Sequence, residues 1–140
     1  MNKSCARVLV VEDYAGWSHF ICSMLKQKRE LRVVCEASNG LEAVEKARQL
    51  KANLILLDIG LPKLNGIEAA RRILAFAPQA KIIFISENRD PDIVQEALNT
   101  GARGYVLKSR AASELVQAIE VVTADGTFVS DHLALPHAKS

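Results

Sequence analysis

The chain of 140 residues lacks several marks that sort proteins before any fold is considered. Its three cysteines, Cys5, Cys22 and Cys35, are widely spaced and form no Cys-x-x-Cys pair. An odd, scattered set of this kind fits free thiols in a reducing compartment and excludes a disulfide framework. No stretch approaches the roughly 20 apolar residues that a membrane span needs. The N-terminal MNKSCARVLVVED has too short an apolar run for a secretory leader, and acids interrupt it. A cytoplasmic location, with no membrane partner, is therefore expected. Charge of one sign is not in excess either. Lys plus Arg number 18 and Asp plus Glu 16, a net charge of +2. No basic block stands out, so direct DNA binding by these residues is not indicated. The histidines His19, His132 and His137 show no ligand spacing and read as solvent-facing. A G-x-S-x-G elbow, the mark of a serine hydrolase, is missing.

What is present is ordinary in amount and specific in order. Hydrophobic residues make up 49% and charged residues 24%, a composition of globular domains. The length predicts one domain that buries roughly two-thirds of its unfolded surface. Apolar, uncharged runs recur at Arg7–Val11, Leu31–Ala37, Leu54–Asp58, Lys81–Ser86 and Gly104–Leu107. Such runs read as strands buried on both faces of a parallel sheet. Between them lie helical periods. Trp17, Ile21, Met24 and Leu25 mark the inner face of a helix over 14–28, with Trp17 read as core. Asn39 caps a second helix, with Glu42 completing a capping-box-like pair. A third runs over 67–76 and stops at Pro78. Asp90-Pro91 opens a fourth by an N-cap and a first-position proline. A fifth covers 112–124, with Leu115, Ile119 and Val122 inward. Val116 and Val121 lie off that face, either widening the buried stripe or forming a dimer surface.

Five βα units imply an α/β fold with a doubly wound, five-stranded parallel sheet. The strand order 2-1-3-4-5 is one of two common choices, and five strands favour it. Residues 1–124 form the domain. The stretch 125–140 shows no clear period and reads as a mobile tail or the start of a linker.

In a parallel sheet every carboxyl end lies on one edge, where open α/β sheets bind ligands. The first strand ends on Glu12 and Asp13, the third on Asp58, the fourth on Ser86 and the fifth on Lys108. Three carboxylates, a hydroxyl and an ammonium thus converge with a formal charge of −2. Clustered carboxylates repel and raise one another's pKa, and a divalent cation relieves this. Magnesium suits such oxygen ligands and readily takes a phosphate oxygen. A carboxylate nucleophile beside a metal, a lysine and a hydroxyl is a phosphoryl-transfer arrangement. Asp58 is the expected acceptor.

These residues, within VVED (Val10–Asp13), LLDIGLPKLNG (Leu56–Gly66), FIS (Phe84–Ser86) and GARGYVLKS (Gly101–Ser109), resemble a response regulator receiver domain of the CheY-like type. The likeness covers about residues 7–124. GARGYVLKS followed by SELVQAI is most similar to the NarL/FixJ (LuxR-type) subfamily. The resemblance implies a flavodoxin-like three-layer sandwich. It implies that a sensor histidine kinase or phosphotransfer protein phosphorylates Asp58. Asp13, Asp58 and the backbone carbonyl of Gly60 would ligate Mg2+, with Glu12 acting through water. Lys108 would pair with the phosphoryl group. Ser86 would move to hold it, and Tyr105 would turn inward to remodel the face of the fourth helix, fifth strand and fifth helix. The protein would catalyse only its own phosphorylation and dephosphorylation and would not be an enzyme on other substrates. It would be the receiver part of a transcriptional regulator or a stand-alone receiver, with DNA reached only through a further domain and a homodimer possible. Leu61 stands where Met is usual before Pro62. Glu87 follows Ser86 where small residues are frequent. Glu87 narrows access to a phosphoryl group, whereas the bare Gly60 leaves room for an attacking water. The alternative is a phosphorylation-independent receiver-like interaction module. An aspartate-nucleophile phosphatase needs a second acid two residues after the nucleophile, where Gly60 stands.

Overall fold

The computed structural model describes residues 6–130 and residue 133. Cys5, Pro136, His132 and His137 lie outside the described residues. Five βα units appear in the expected order: β1 (Ala6–Val11), α1 (Ala15–Leu25), β2 (Leu31–Ala37), α2 (Gly40–Leu50), β3 (Leu54–Leu57), α3 (Gly66–Phe76), β4 (Lys81–Ser86), α4 (Pro91–Asn99), β5 (Gly104–Leu107) and α5 (Ala111–Thr123). A further strand, β6 (Phe128–Val129), follows. All pairs are parallel and the order is β2-β1-β3-β4-β5-β6. The chain moves outward from β1 to β2 and returns to β3, so the switch point lies between β1 and β3. That is where a ligand crevice opens in such sheets.

Local sequence explains the elements. Every residue of β3 and β5 is buried, as uncharged runs between helical layers require. Asn39 Oδ1 accepts from the Glu42 amide at 2.8 Å and starts α2. The Glu42 carboxylate reaches back one residue further than a capping box, to the Ser38 amide at 2.9 Å. Asn65 caps α3 in the same way through the Glu68 amide. Asp90 caps α4 with Pro91 in its first turn. One short 3-10 turn, Lys108–Arg110, joins β5 to α5.

Alternate strand residues face two cores. Leu9, Ile55, Leu57, Phe84 and Tyr105 meet α2, α3 and α4 through residues such as Ala43, Ile73 and Val94. Val10, Leu56, Ile83 and Val106 meet α1 and α5 through Ile21, Leu25, Leu115 and Ile119. Each large side chain so buried contributes roughly 1.5–3 kcal/mol. No helix among the described residues is long and apolar enough to cross a membrane. His19 is exposed, Val116 and Val121 are half-buried, and Cys22 and Cys35 are free thiols. Burial pushes the Cys22 thiol up to about 11, with the Glu36 charge adding to the effect.

The reading of residues 125–140 as a tail is corrected at its start. Asp125-Gly126 does end α5, but the chain then lies along β5. The Phe128 amide donates to the Arg103 carbonyl and the Ser130 amide to the Tyr105 carbonyl, both at 3.0 Å. Ser130 is buried. Its hydroxyl donates to Glu114 Oε1 at 2.6 Å and accepts from the Leu107 amide at 3.0 Å. The second Glu114 oxygen accepts from Arg110 Nε at 3.1 Å. A strand of two residues is too short to show a period. What fixes it is a carboxylate on α5.

Candidate functional site

The carboxyl edge of the sheet gathers the expected residues. Glu12 and Asp13 follow β1, Asp58 follows β3, Ser86 ends β4 and Lys108 follows β5. Lys108 Nζ lies 3.0 Å from Glu12 Oε1 and 3.2 Å from Asp58 Oδ2. Glu12, Asp58 and Lys108 are all buried to within 8% of full exclusion from solvent, while Asp13 is exposed. Glu12, Asp13 and Asp58 can each offer one oxygen, and these lie within 4.8 Å of one another. Ser86 is buried at the same cleft, and Gly60 and Glu87 are exposed at its mouth.

Asp58 is held from both sides. Its Oδ1 accepts from the Ile59 amide at 2.8 Å and its Oδ2 from Lys108. Its own amide donates to the Val11 carbonyl, tying the end of β3 to β1. The chain then turns tightly, with the amides of Leu61 and Gly66 both donating to the Ile59 carbonyl at 2.8 Å. Gly66 is required by close approach: a Cβ there would lie 2.0 Å from the Asp58 carbonyl oxygen. The turn therefore sets where the carboxylate stands.

The charges do not balance. Burial, reinforced by the neighbouring Asp58, raises the Glu12 pKa above its ordinary value despite the Lys108 ammonium. Burial works against the Lys108 ammonium too, but Glu12 and Asp58 outweigh it and hold its pKa above the usual lysine value. One cation thus serves three acids. The donor set is all hard oxygen, clustered tightly enough for one ion, and short of positive charge. Those properties fit a divalent metal such as Mg2+.

Two findings go beyond the sequence reading. Tyr105, expected to turn inward, is already wholly buried, and its hydroxyl donates to the Asn88 carbonyl at 2.8 Å. Burial pushes its phenol pKa up, partly offset by the Ser86 hydroxyl. The Ser86 hydroxyl in turn accepts from the Asn88 amide at 3.1 Å. Asn88 therefore links the hydroxyl to the ring, a role invisible before the loop's path was known. Trp17, read as core, is half-buried and lines the cleft, its ring centroid 5.2 Å from Lys108 Nζ. Its position one helical turn after Asp13 was the available signal.

Comparison with known proteins agrees with this geometry. Residues 8–120 match the family model of the response regulator receiver domain. The chain is 39% identical over 120 residues to the chemotaxis protein CheY of Thermotoga maritima, spanning 84% of this chain and 97% of that protein. It is 31% identical over 129 residues to the transcriptional regulatory protein DegU of Brevibacillus brevis, covering 92% of this chain but 55% of that protein. The chain thus spans little more than half the length of that curated relative. In structure it resembles a two-component response regulator of the LuxR family from Aurantimonas sp. SI85-9A1, with a TM-score of 0.86, 31% identity and 91% of each chain covered. The parallel sheet in its flavodoxin-like order, the acidic cleft and these matches together establish that the chain belongs to the response regulator receiver domain family of two-component systems.

Proposed function

We propose that this domain is a phosphorylation-controlled switch in which Asp58 is the phosphoacceptor. The observation that carries the reading is the doubly held Asp58 carboxylate, with Lys108 at 3.2 Å, set among two further acids. The donor is a phosphohistidine of a sensor histidine kinase or phosphotransfer protein. An Asp58 oxygen forms a bond to phosphorus as the donor's P–N bond breaks. The electron pair of that bond stays on the imidazole nitrogen, which takes up a proton. Mg2+, held by Asp13, Asp58, the Gly60 carbonyl and, through water, Glu12, supplies charge neutralisation on the phosphoryl oxygens. Lys108 neutralises the same group from the β5 side. The Ser86 hydroxyl gives up the Asn88 amide to hold a phosphoryl oxygen. Its partner Asn88 also holds Tyr105, so the change passes to the face of α4, β5 and α5. Such a domain transforms no substrate besides itself. It serves as the receiver of a transcriptional regulator or as a stand-alone receiver in the cytoplasm.

Incubation with Mg2+ and acetyl phosphate tests the reading by intact mass. The expected result is a gain of one phosphoryl group, absent in Asp58→Asn. An unchanged wild-type mass, or equal labelling of Asp58→Asn, would overturn it. A second reading, an interaction module that works without phosphorylation, draws on Tyr105 standing inside already. It predicts that Asp58→Asn changes neither self-association nor the burial of Tyr105.

A further inference from the structure

Lys108 hangs on a flexible stem between two carboxylates that pull it apart. One N–H points to Glu12 Oε1 at 3.0 Å and another to Asp58 Oδ2 at 3.2 Å. An ammonium drawn fully to Glu12 would neutralise nothing on a group arriving at Asp58. The third side of the ammonium is not left to water. The Trp17 ring lies there, its centroid 5.2 Å from Nζ. A cation at that distance over an indole face is attracted by the ring's negative quadrupole.

The ring is itself braced. Phe20 meets it edge to face, with centroids 5.4 Å apart and planes at 89°. The Trp17 amide donates to the Tyr14 carbonyl at the start of α1. The same turn touches the acids, because the Tyr14 amide donates to Glu12 Oε2 at 3.2 Å. Helix α1 therefore fixes both the carboxylate that competes for Lys108 and the aromatic face that confines it. Filling the α1–α5 core would need only volume, which Leu or Met supplies. A ring face turned to a buried ammonium needs the aromatic.

Resting on the phosphoacceptor reading of Asp58, we propose that Trp17 is a positioning residue for phosphoryl transfer, confining the Lys108 ammonium between its indole face and Asp58.

The test compares Trp17→Leu, which keeps bulk and loses the ring, with Trp17→Phe, which keeps a ring face. Labelling by acetyl phosphate at saturating Mg2+ is followed by intact mass, with thermal unfolding as the check on folding. Trp17→Leu is expected to label about 3- to 30-fold more slowly than wild type, and Trp17→Phe within about threefold of it. The Mg2+ concentration giving half the thermal stabilisation should be unchanged in both. In a Lys108→Gln background, Trp17→Leu should bring no further loss, because the interaction it removes is already gone. Trp17→Leu labelling at the wild-type rate would overturn the inference. So would equal losses in the Leu and Phe variants, or a loss that persists undiminished with Lys108→Gln. A wild-type chain that takes no label would overturn the phosphoacceptor reading itself, and the role of Trp17 with it. A labelled wild type with an indifferent Trp17→Leu sinks only the latter.

Discussion

Glu12 and Glu114 are both buried acids beside a cation, at opposite corners of the last turn of β5, and they live under different terms. Glu114 is 6% exposed, and both its oxygens are engaged, one by the Ser130 hydroxyl and one by Arg110. That acid has a guanidinium to itself, so its corner is locally neutral and hydrogen-bonded. Glu12 is 4% exposed and shares a single ammonium with Asp58, while Asp13 stands near with no lysine of its own. The first cluster is complete as it is and acts as a fastener. The second has a surplus of negative charge that only an added cation removes. Buried polar groups that are fully satisfied rigidify a fold, and those left short of a partner mark a place where something binds.

The comparison can be broken by substitution. The largest effect should come from Glu114→Ala, which leaves Arg110 and the Ser130 hydroxyl without their acceptor. A loss of about 3 kcal/mol is expected in urea unfolding. Asp13→Asn, measured in the same way without metal, should lose nothing or gain, because it relieves repulsion. A loss in Asp13→Asn as large as in Glu114→Ala would erase the distinction. Next comes metal. Mg2+ at about 100 times its Kd should stabilise the wild type by about 2.7 kcal/mol, read as a rise in Tm. That rise should vanish in Asp13→Asn and survive in a folded Ser130→Ala. Ser130→Ala itself should cost about 1.5 kcal/mol, since it strands the Leu107 amide and one Glu114 oxygen. Limited proteolysis beyond Ala124 would check it, with faster cleavage expected as β6 comes loose.

The smallest effect is a pH step. Lys108 has its folded pKa raised above the ordinary 10.5. Its contribution is therefore whole below pH 10.5 and is lost as pH rises through the folded value. Wild type should lose this increment relative to Lys108→Gln only in that alkaline window, as read from unfolding midpoints. A difference that instead changed between pH 5 and 8 would mean that the acids, not the lysine, control the balance.

Most of the architecture was legible because burial on both faces leaves a plain trace. LILL, KIIFIS and GYVL have no charge after the first residue, and each is a strand where expected. Asn39 and Asp90 announced their helices by the chemistry of their side chains. Asp58, Ser86 and Lys108 could be brought together on paper because parallel strands share one edge. Glu114 could not be read, because a charged residue on an amphipathic helix ordinarily faces water. Its reason for being buried, Ser130, lies 16 residues away in a stretch without period. Trp17 was placed on the right helix and the wrong side of the argument. Its spacing from Ile21 fits a core stripe, and the same spacing carries it to the mouth of the cleft.

Strand β6 also decides where the polypeptide is handed on. Helix α5 runs back against the strands and delivers the chain to the floor of the molecule, remote from Asp58. The two-residue strand carries it up again, so that Ser130 stands level with Leu107, next door to Lys108. A tether rooted there feels any shift at the rim directly. One rooted at the foot of α5 would have to wait for the whole helix to move.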